Sequence, residues 1–364
     1  MQSEEARTRH PFHMHEAILA QPEAFARTLK RNAEAVEEFA AGIASCERLF
    51  LVGIGTSYHA ARVGEHLFRV YGGGLDARAV HSFDFALYGP ELSPADCVVA
   101  VSHRGTKRYT AEALERARRV GSKTALITGK GGAPEDAADV VFRTVAQEES
   151  SAHTVSYASA ISVLAALAGR VGLHRTGDVT LPESLLREEI PNVLEAALQT
   201  EDEVKALARE HVGRRRIWLA GGGPSAVTAG EIALKIKETS YLQAEGIATE
   251  GMLHGPFQCV EAEDLFILIA PAGAAQERTA ELAGAVEEVG APYVVVGDAT
   301  SEEMVHNAAG CIFVPEVLEP FVALTCAVPL QLFAYHLALA RGTNPDGFRT
   351  EDERFARIKA SVRL

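Results

Sequence analysis

Two carboxylates, a lysine and a histidine lie close together in the run EIALKIKETSYLQAEGIATEGMLHGP, residues 231–256. Its first part carries no proline or glycine before Glu245, which favours a helix. On a helix Glu231, Lys235 and Glu238 fall at i, i+4 and i+7 and share one face. Apolar residues cover most of the remaining circumference, so the helix is predicted to be largely buried.

Charged side chains on a buried helix are costly unless they are paired or line a wet cleft. The run continues into a turn, Met252–Pro256, that presents the imidazole of His254. Carboxylate, ammonium and imidazole on a constrained element are typical of sites that transfer protons. The alternative is an ion-paired helix surface with an ordinary loop histidine, and the spacing alone leaves both interpretations open.

Two turns rich in hydrogen-bond donors follow apolar, strand-like runs. The first supplies Gly55, Thr56 and Ser57, and the second supplies Ser102, His103, Arg104 and Lys107. Small residues let the backbone approach an anion, hydroxyls donate to it, and the two cations add charge. Neither turn has the third glycine of GxGxxG or a following GK[ST], so a nucleotide is not indicated. We predict a small anionic ligand such as a phosphate monoester, with a solvated helix start as the alternative for Arg104 and Lys107.

A third polar turn, EESSAHT, spans residues 148–154 after another strand-like run. Ser151 in this turn could close the site around a polyol. The turn could equally be a cluster that caps the next helix.

The elements that position these turns occur twice. Strand, glycine turn and helix in RLFLVGIGTSYHAARVGEHLF return in RRIWLAGGGPSAVTAGEIALKIKE, and the later strands VVAVS and TALIT return as FILIA and YVVVG. Strands that alternate with helices predict two tandem doubly wound α/β domains, each a parallel sheet in a three-layer α/β/α arrangement. The predicted divisions are an N-terminal helical segment (1–44), a first domain (45–180), a helical linker (181–212), a second domain (213–342) and an irregular C-terminal tail (343–364).

Composition excludes several classes of partner. The 364 residues carry a net charge of −14, which disfavours nucleic acid and anionic membranes. The start, MQSEEARTRHPFHMHEA, has no apolar signal region, and no uninterrupted apolar run is long enough to cross a bilayer. The five cysteines lack CxxC spacing, so free thiols are expected rather than disulfides or zinc ligands. We expect a cytoplasmic protein.

A histidine cluster, HPFHMH, places His10, His13 and His15 near the N-terminus. Such a cluster could hold a metal, but it has no cysteine or carboxylate at ligand spacing. The sequence therefore predicts no metal and no other cofactor.

Four segments, in the same order, resemble the double-SIS (sugar isomerase) family, and most closely the isomerase half of glutamine–fructose-6-phosphate transaminase. They are HMHEAILAQPEAF, GIGTSYHA, EIALKIKETSYLQAEG with its following HGP, and PLQLFAYHLALARGTNPD. The resemblance implies two SIS domains, a sugar-phosphate ligand, a homodimer with shared active sites and no cofactor.

The resemblance also implies roles for particular residues. Ser57 and Ser102 fall on sugar-phosphate contacts, and Glu238 falls on the glutamate that moves a proton between C1 and C2. His254 falls on the histidine that takes part in ring opening, which in the family comes from a partner subunit. Lys359, in the terminal KASVRL, matches the family's Schiff-base lysine.

The chain departs from the family in three places, one of which is a C-terminal tail that is longer before its lysine, Lys359. No glutaminase domain and no Cys at position two are present, so we expect no glutamine hydrolysis by that route. The family's phosphate turn SQSGET is here SHRGTK, which changes the volume and charge of the pocket. The leading hypothesis is an aldose–ketose isomerase or amino-sugar-phosphate deaminase. The alternatives are an isomerase of another anionic sugar, sulfonated or amino-acid-linked, and a non-catalytic sugar-phosphate sensor.

Overall fold

Two helices precede the first sheet in the computed structural model, which describes residues 7–362 without the side chain of Lys359. They are α1 (His13–Leu19) and α2 (Gln21–Ile43). Phe25, Leu29, Val36 and Phe39 on α2 follow one another at four, seven and three positions, and all four are buried in the central hydrophobic core, as expected of an amphipathic helix.

The first half of the fold is a sheet of five parallel strands in the order β2-β1-β3-β4-β5. Its elements in chain order are β1 (Arg48–Gly53), α3 (Thr56–Tyr71), β2 (Asp76–His81), α4 (Ser82–Tyr88), β3 (Asp96–Val101), α5 (Arg108–Arg119), β4 (Lys123–Thr128), β5 (Val140–Arg143) and α6 (Val155–Thr176). Alternate residues of β1 belong to different apolar clusters, Leu49 and Leu51 to one and Phe50 and Val52 to another. The sheet is therefore covered on both faces, which explains its continuous apolar strands.

The second half repeats this arrangement with the strand order β7-β6-β8-β9-β10. After the linker helices α7 (Ile190–Leu198) and α8 (Glu201–Glu210), its elements are β6 (Ile217–Gly221), α9 (Pro224–Ser240), β7 (Ala244–Ala248), α10 (Thr249–Leu253), β8 (Leu265–Ile269), α11 (Gln276–Val289), β9 (Tyr293–Gly297), β10 (Gly310–Phe313), α12 (Val322–Thr325) and α13 (Ala327–Ala340). The prediction of two tandem, doubly wound parallel sheets is confirmed.

Each sheet has one strand that the sequence did not reveal, β2 in the first half and β7 in the second. Both lie at the edge of their sheet, where one side of the strand needs no partner and polar residues are tolerated. Their sequences, DARAVH and AEGIA, therefore lack the long apolar run by which the other strands were recognised.

One apolar cluster runs through both halves. It contains Leu51 and Ile161 from the first half and Ile236, Ile267 and Phe333 from the second. Helix α3 packs directly against α9 across the boundary. This contact matters for the site, because it brings the first glycine turn beside the charged face of α9.

Two helical stretches, Val155–Thr176 and Glu319–Ala340, are long and apolar enough to cross a membrane by length and composition. Their most apolar windows are 83% and 94% buried inside the fold. They are explained as core helices of the two halves, which need apolar residues on every side.

The chain ends in a segment that was predicted to be irregular and that contains one further helix, α14 (Glu353–Ser361). The side chain of Asp352 caps it by accepting the backbone N–H of Arg354. Helix α9 ends earlier than its composition suggested, at Ser240, because Tyr241 takes a left-handed backbone conformation with φ 58°.

Candidate active site

The donor-rich turns of the first half lie where the order of the sheet reverses, at the carboxyl ends of β1 and β3. In open parallel sheets this switch point is where ligands bind. The turn after β1 needs glycine at two places. Gly55 has φ 58°, and a Cβ on Gly53 would lie 2.4 Å from the backbone of Ser57. The glycines thus allow α3 to begin directly at the sheet edge.

A cleft opens at this point. It is lined by Thr56, Ser57, Val101, His103, Ile127, Thr144, His153, Ser156 and Tyr157, among others. Within the part of the chain that the structure describes, several buried polar atoms in and beside the cleft have no hydrogen-bond partner: Ser102 Oγ, His103 Nδ1, His153 Nε2, Thr154 Oγ1 and Tyr157 Oη. Buried polar groups are normally paired, so this group indicates a polar ligand.

His103 and His153 form an edge-to-face pair with ring centroids 4.8 Å apart. Burial lowers the pKa of His103 to about 4 and that of His153 to about 2, with Arg104 and the neighbouring imidazole adding to the effect. Both rings are therefore neutral near pH 7. The backbone N–H of Glu148 donates to His103 Nε2 at 3.0 Å, which assigns the proton of His103 to Nδ1, an unpartnered donor.

The two cations of the SHRGTK turn lie just before α5. Arg104 is exposed, whereas Lys107 is half-buried. Partial burial and the charge of Arg104 lower the pKa of Lys107. Cations at a helix N-terminus oppose the helix dipole, so a bound anion would remove an unfavourable arrangement.

The charged face of α9 is a chain of buried ion pairs. Lys235 Nζ lies 2.5 Å from Glu238 Oε2 and 3.5 Å from Glu231 Oε1. Glu231, fully buried, also accepts hydrogen bonds from Thr56 Oγ1 at 3.0 Å and from His59 Nδ1 at 2.6 Å. Thr56 lines the cleft of the first half, so the chain of charges on α9 reaches that cleft.

Burial and neighbouring charge move the pKa values of the three groups in different directions. Burial alone would raise the pKa of Glu231, but Lys235 and His59 outweigh it and hold that pKa below its ordinary value. Burial raises the pKa of Glu238, and Lys235 offsets only part of the rise. Burial disfavours the ammonium of Lys235, yet the two carboxylates outweigh burial and raise its pKa. Glu238, with 19% of its side chain exposed, is the accessible member, and it lines a separate pocket with Tyr241, Phe348 and Arg349.

The polar turn of residues 148–154 is held in place by two contacts. The Glu148 carboxylate accepts the backbone N–H groups of Thr154 and Ser156 at 2.9 and 3.0 Å, while burial raises its pKa. The backbone N–H of Ser151 donates to the carbonyl of Asp346 at 3.0 Å. The turn therefore caps α6 and is fastened to the C-terminal segment.

One residue predicted for the site, His254, is not brought to the cleft within one chain. His254 is exposed over 72% of its side chain, and its Nε2 lies 2.7 Å from Glu250 Oε1. Lys359 lies on α14, and its side chain is outside the described part of the structure. The other predicted residues lie in or beside the cleft, in the two turns, in the polar turn or on α9.

Sequence reasoning did not assign His59, Glu148 and His153 to the site. The signal for His59 was available, because it follows the GIGTSY turn by one position and falls on the first turn of α3. Glu148 and His153 were visible only as members of a polar turn, and their burial depends on how that turn folds over the cleft.

Comparison with known proteins identifies the repeated unit. Residues 42–170 and 212–341 each match the family model of the SIS domain. The chain is 30% identical over 342 residues to a glutamine–fructose-6-phosphate aminotransferase (isomerizing) of Thermococcus kodakarensis, covering 93% of this chain and 56% of that protein. The similarity to its counterpart from Methanothermobacter thermautotrophicus is 30% over 84% of this chain and 50% of that protein. The chain thus spans about half the length of the curated relatives it matches.

Solved structures share the fold at lower identity. The C-terminal domain of glucosamine-fructose-6-phosphate aminotransferase from Francisella tularensis has a TM-score of 0.79 at 19% identity and covers 93% of this chain and 99% of that one. Tagatose-6-phosphate ketose/aldose isomerase from Escherichia coli has a TM-score of 0.78 at 20% identity, with 95% and 97% covered. A glucosamine-6-phosphate deaminase from Thermotoga maritima has a TM-score of 0.71 at 18% identity, with 92% and 96% covered.

Proposed function

We propose that this chain, which belongs to the SIS domain family, is an aldose–ketose isomerase or amino-sugar deaminase of sugar phosphates, of the glucosamine 6-phosphate or fructose 6-phosphate type. The observation that carries the proposal is the chain of ion pairs from Glu231 through Lys235 to Glu238. It joins an accessible carboxylate on α9 to the cleft through Thr56. A base beside a polar cleft is what proton transfer between neighbouring carbons requires.

Glu238 is the proposed base that takes a proton from one of the carbons C1 and C2 and returns it to the other. Its raised pKa brings its affinity for protons closer to that of the reacting carbon acid, which favours transfer in both directions. The ammonium of Lys235 offsets one of the two carboxylate charges when Glu231 and Glu238 are both ionised, and it stabilises the negative charge of an enediolate. For an amino sugar the corresponding intermediate is an enolamine. Protonation at C1 converts it to an imine at C2, and water then hydrolyses this imine to the ketose and ammonia.

The turns after β1 and β3 are the proposed anion site. Ser57 and Ser102 supply hydroxyls, and Arg104 and Lys107 supply charge against the acidic net field of the protein. The Nδ1–H of His103 is a further donor for a hydroxyl or anionic oxygen. Gly55 lets the substrate approach the backbone, and Ser151 lies in the turn that would cover it.

A second copy of the chain is part of the proposal. His254 faces solvent in one chain, as a residue would that serves a neighbouring site and opens the sugar ring there. Lys359 would hold the open ketose as an imine. We therefore propose a homodimer with shared sites, located in the cytoplasm.

One observation favours a second candidate, an isomerase of a sugar that carries a different anion, such as a sulfonate or an amino-acid-linked sugar phosphate. Arg104, Lys107 and the two neutral imidazoles give the cleft a donor set different from the SQSGET turn of the family. A sensor without catalysis is disfavoured, because it would not need the buried charges of α9, which are costly to fold.

The proposal is tested with purified protein and a panel of hexose and hexosamine 6-phosphates, while ketose formation and ammonia release are followed together. We expect turnover of at least one member and a loss of about 10² to 10⁴-fold in kcat for Glu238→Gln. The matched control is Glu245→Gln, an exposed carboxylate on β7, which should behave as wild type.

The products separate the alternatives. Ammonia from an amino-sugar phosphate means a deaminase, and ketose without ammonia means an isomerase. Turnover that persists in Glu238→Gln would refute the assigned base. Thermal stabilisation by the sugar phosphates without any turnover would indicate the sensor.

A further inference from the structure

Three metal-ligating side chains from distant parts of the chain meet beside α13. They are His15 on α1, Glu201 at the first position of α8, and His336 on α13. Their ligand atoms all lie within 4.8 Å of one another. His15 Nε2 is 2.7 Å and His336 Nε2 is 2.8 Å from the same carboxylate oxygen, Glu201 Oε1.

We propose that His15, Glu201 and His336 form a binding site for a divalent transition-metal ion of the zinc class. Two imidazoles and one carboxylate are a donor set that zinc takes in proteins, with water in the fourth position. Magnesium and calcium prefer oxygen ligands alone, so the two imidazoles select against them.

The geometry needs an adjustment of the three side chains. Zinc–ligand distances of about 2.0–2.1 Å place tetrahedral ligand atoms roughly 3.3 Å apart. Each of the two contacts to Glu201 would therefore lengthen by roughly half an ångström, and the widest separation among the ligand atoms, up to 4.8 Å, would shorten by about 1.5 Å. The ion would replace the two hydrogen bonds with coordinate bonds.

The surroundings hold the imidazoles in place. His336 is buried, with 4% of its side chain exposed, and the ring of His15 lies 5.0 Å from that of Tyr335. The hydroxyl of Tyr335 is 2.7 Å from His10 Nδ1, and the His10 ring packs edge-on against His15. In metal sites the residues around the ligands hold the imidazole rings in a fixed orientation. Glu201 is 28% exposed, which gives an ion access from solvent.

The sequence predicted no metal at HPFHMH because it has no cysteine or carboxylate at ligand spacing. The structure supplies the missing ligands from far along the chain, since Glu201 follows His15 by 186 positions and His336 follows Glu201 by 135. Among the three histidines of that cluster, His15 is the one whose ring nitrogen meets the carboxylate.

An ion at this position would fasten the N-terminal helix to the second half of the fold. It would also act close to the proposed active site. The side chain of Asp346 accepts the backbone N–H groups of His13 and Met14 at 2.9 Å, and its carbonyl accepts the N–H of Ser151. The metal-bound helix and the Ser151 turn therefore share one anchoring residue.

The test uses the full chain without a purification tag, stripped with a chelator and titrated with zinc chloride by calorimetry. We expect one zinc per chain, and at least 100-fold weaker binding in Glu201→Gln and in His336→Gln. His13→Gln, which changes an imidazole on the same helix but outside the three proposed ligands, should bind zinc within threefold of wild type. Zinc should raise the melting temperature of wild type and of His13→Gln only.

Two outcomes would overturn the proposal. One is that the wild type binds no zinc, and the other is that Glu201→Gln and His336→Gln both keep the wild-type affinity. Circular dichroism establishes that each variant is folded. If a variant does not fold, X-ray absorption on the zinc-loaded wild type decides alone: two imidazoles are expected in the coordination shell, and a shell of oxygen atoms only would refute the site.

Discussion

The two halves share a strand order, but the proposed site draws different groups from each of them. Gly55 and Gly223 hold the same left-handed conformation, φ 58° and 54°, after the first strand of their halves, and this aligns α3 with α9. At the positions of Glu231, Lys235 and Glu238 on α9, helix α3 carries Val63, Leu67 and Val70. The proposed acid–base helix therefore exists in the second half only.

The turns after β3 and β8 also differ, but here the charged residues are in the first half. In place of SHRGTK, the second half has APAGAA, with alanine at the positions of Arg104 and Lys107. Its backbone donors are already taken by the chain's own carboxylates. The N–H of Ala272 donates to Asp298 Oδ2 at 2.8 Å, and that of Ala274 donates to Glu319 Oε1 at 3.0 Å.

The carboxylate of Glu319 fills the pocket of the second half, where a Cβ on Gly273 would lie 2.5 Å from it. An internal anion thus occupies the place that corresponds to the proposed phosphate site. On the proposed function, the fold is repeated while its anion site is kept once, and the other copy supplies the reacting groups.

Replacing Lys235 with methionine should give the largest effect on stability. The change makes α9 apolar at one of the three positions where α3 is apolar, and it leaves the two carboxylates in place. Glu231 and Glu238 would be left without their ammonium, and removing one partner of a buried ion pair costs about 3–5 kcal/mol. Urea unfolding measures the change. Lys237→Met, an exposed lysine on the same helix, should stay within about 0.5 kcal/mol of wild type. Equal stability of the two variants would mean that the charges of α9 do not depend on one another.

Acid should act through the first half. The pKa of His103 in the folded protein is about 4, below the ordinary 6.5. As the pH falls below 6.5, the imidazole of His103 therefore stays neutral in the folded protein but gains a proton in the unfolded chain. The free energy of unfolding is therefore expected to drop by about 2 kcal/mol from this group between pH 7 and pH 5.

Urea unfolding of wild type and His103→Gln at both pH values tests this expectation. The variant should lose less stability on acidification than the wild type does. Pro271 stands at the corresponding position of the second half and cannot titrate. An identical pH dependence of wild type and variant would contradict the burial of a neutral imidazole at the cleft.

Anion affinity should show the smallest effect and the clearest difference between the halves. Arg104 is exposed, so Arg104→Ala should weaken the binding of inorganic phosphate by about tenfold, as expected for one charged hydrogen bond. Thermal shift titrations with phosphate measure it. Glu319→Gln, which alters the corresponding pocket of the second half, should change the affinity less than twofold. A loss of phosphate binding in Glu319→Gln would place the phosphate site in the second half and contradict the proposed site.

The sequence predicted what depends on local pattern. The apolar strands, the repeat and the position of both donor turns followed from periodicity and from the rule that parallel strands end at one edge. The edge strands β2 and β7 were missed because partial exposure tolerates polar residues there. The contacts of His15 with Glu201 and of Thr56 with Glu231 could not be predicted, since each joins segments that are distant in the chain and approach only through tertiary packing.

The hydrogen bond from Thr56 to Glu231 crosses the boundary between the halves, and this has a consequence for the evolution of the duplicated fold. A duplicated unit can normally lose one copy and remain what it was. In the proposed function one copy holds the anion turns and the other the charged helix, and a part-buried hydrogen bond ties them together. On that proposal, deleting either copy would remove a required part of the site, so the duplication could not be reversed without loss of the activity.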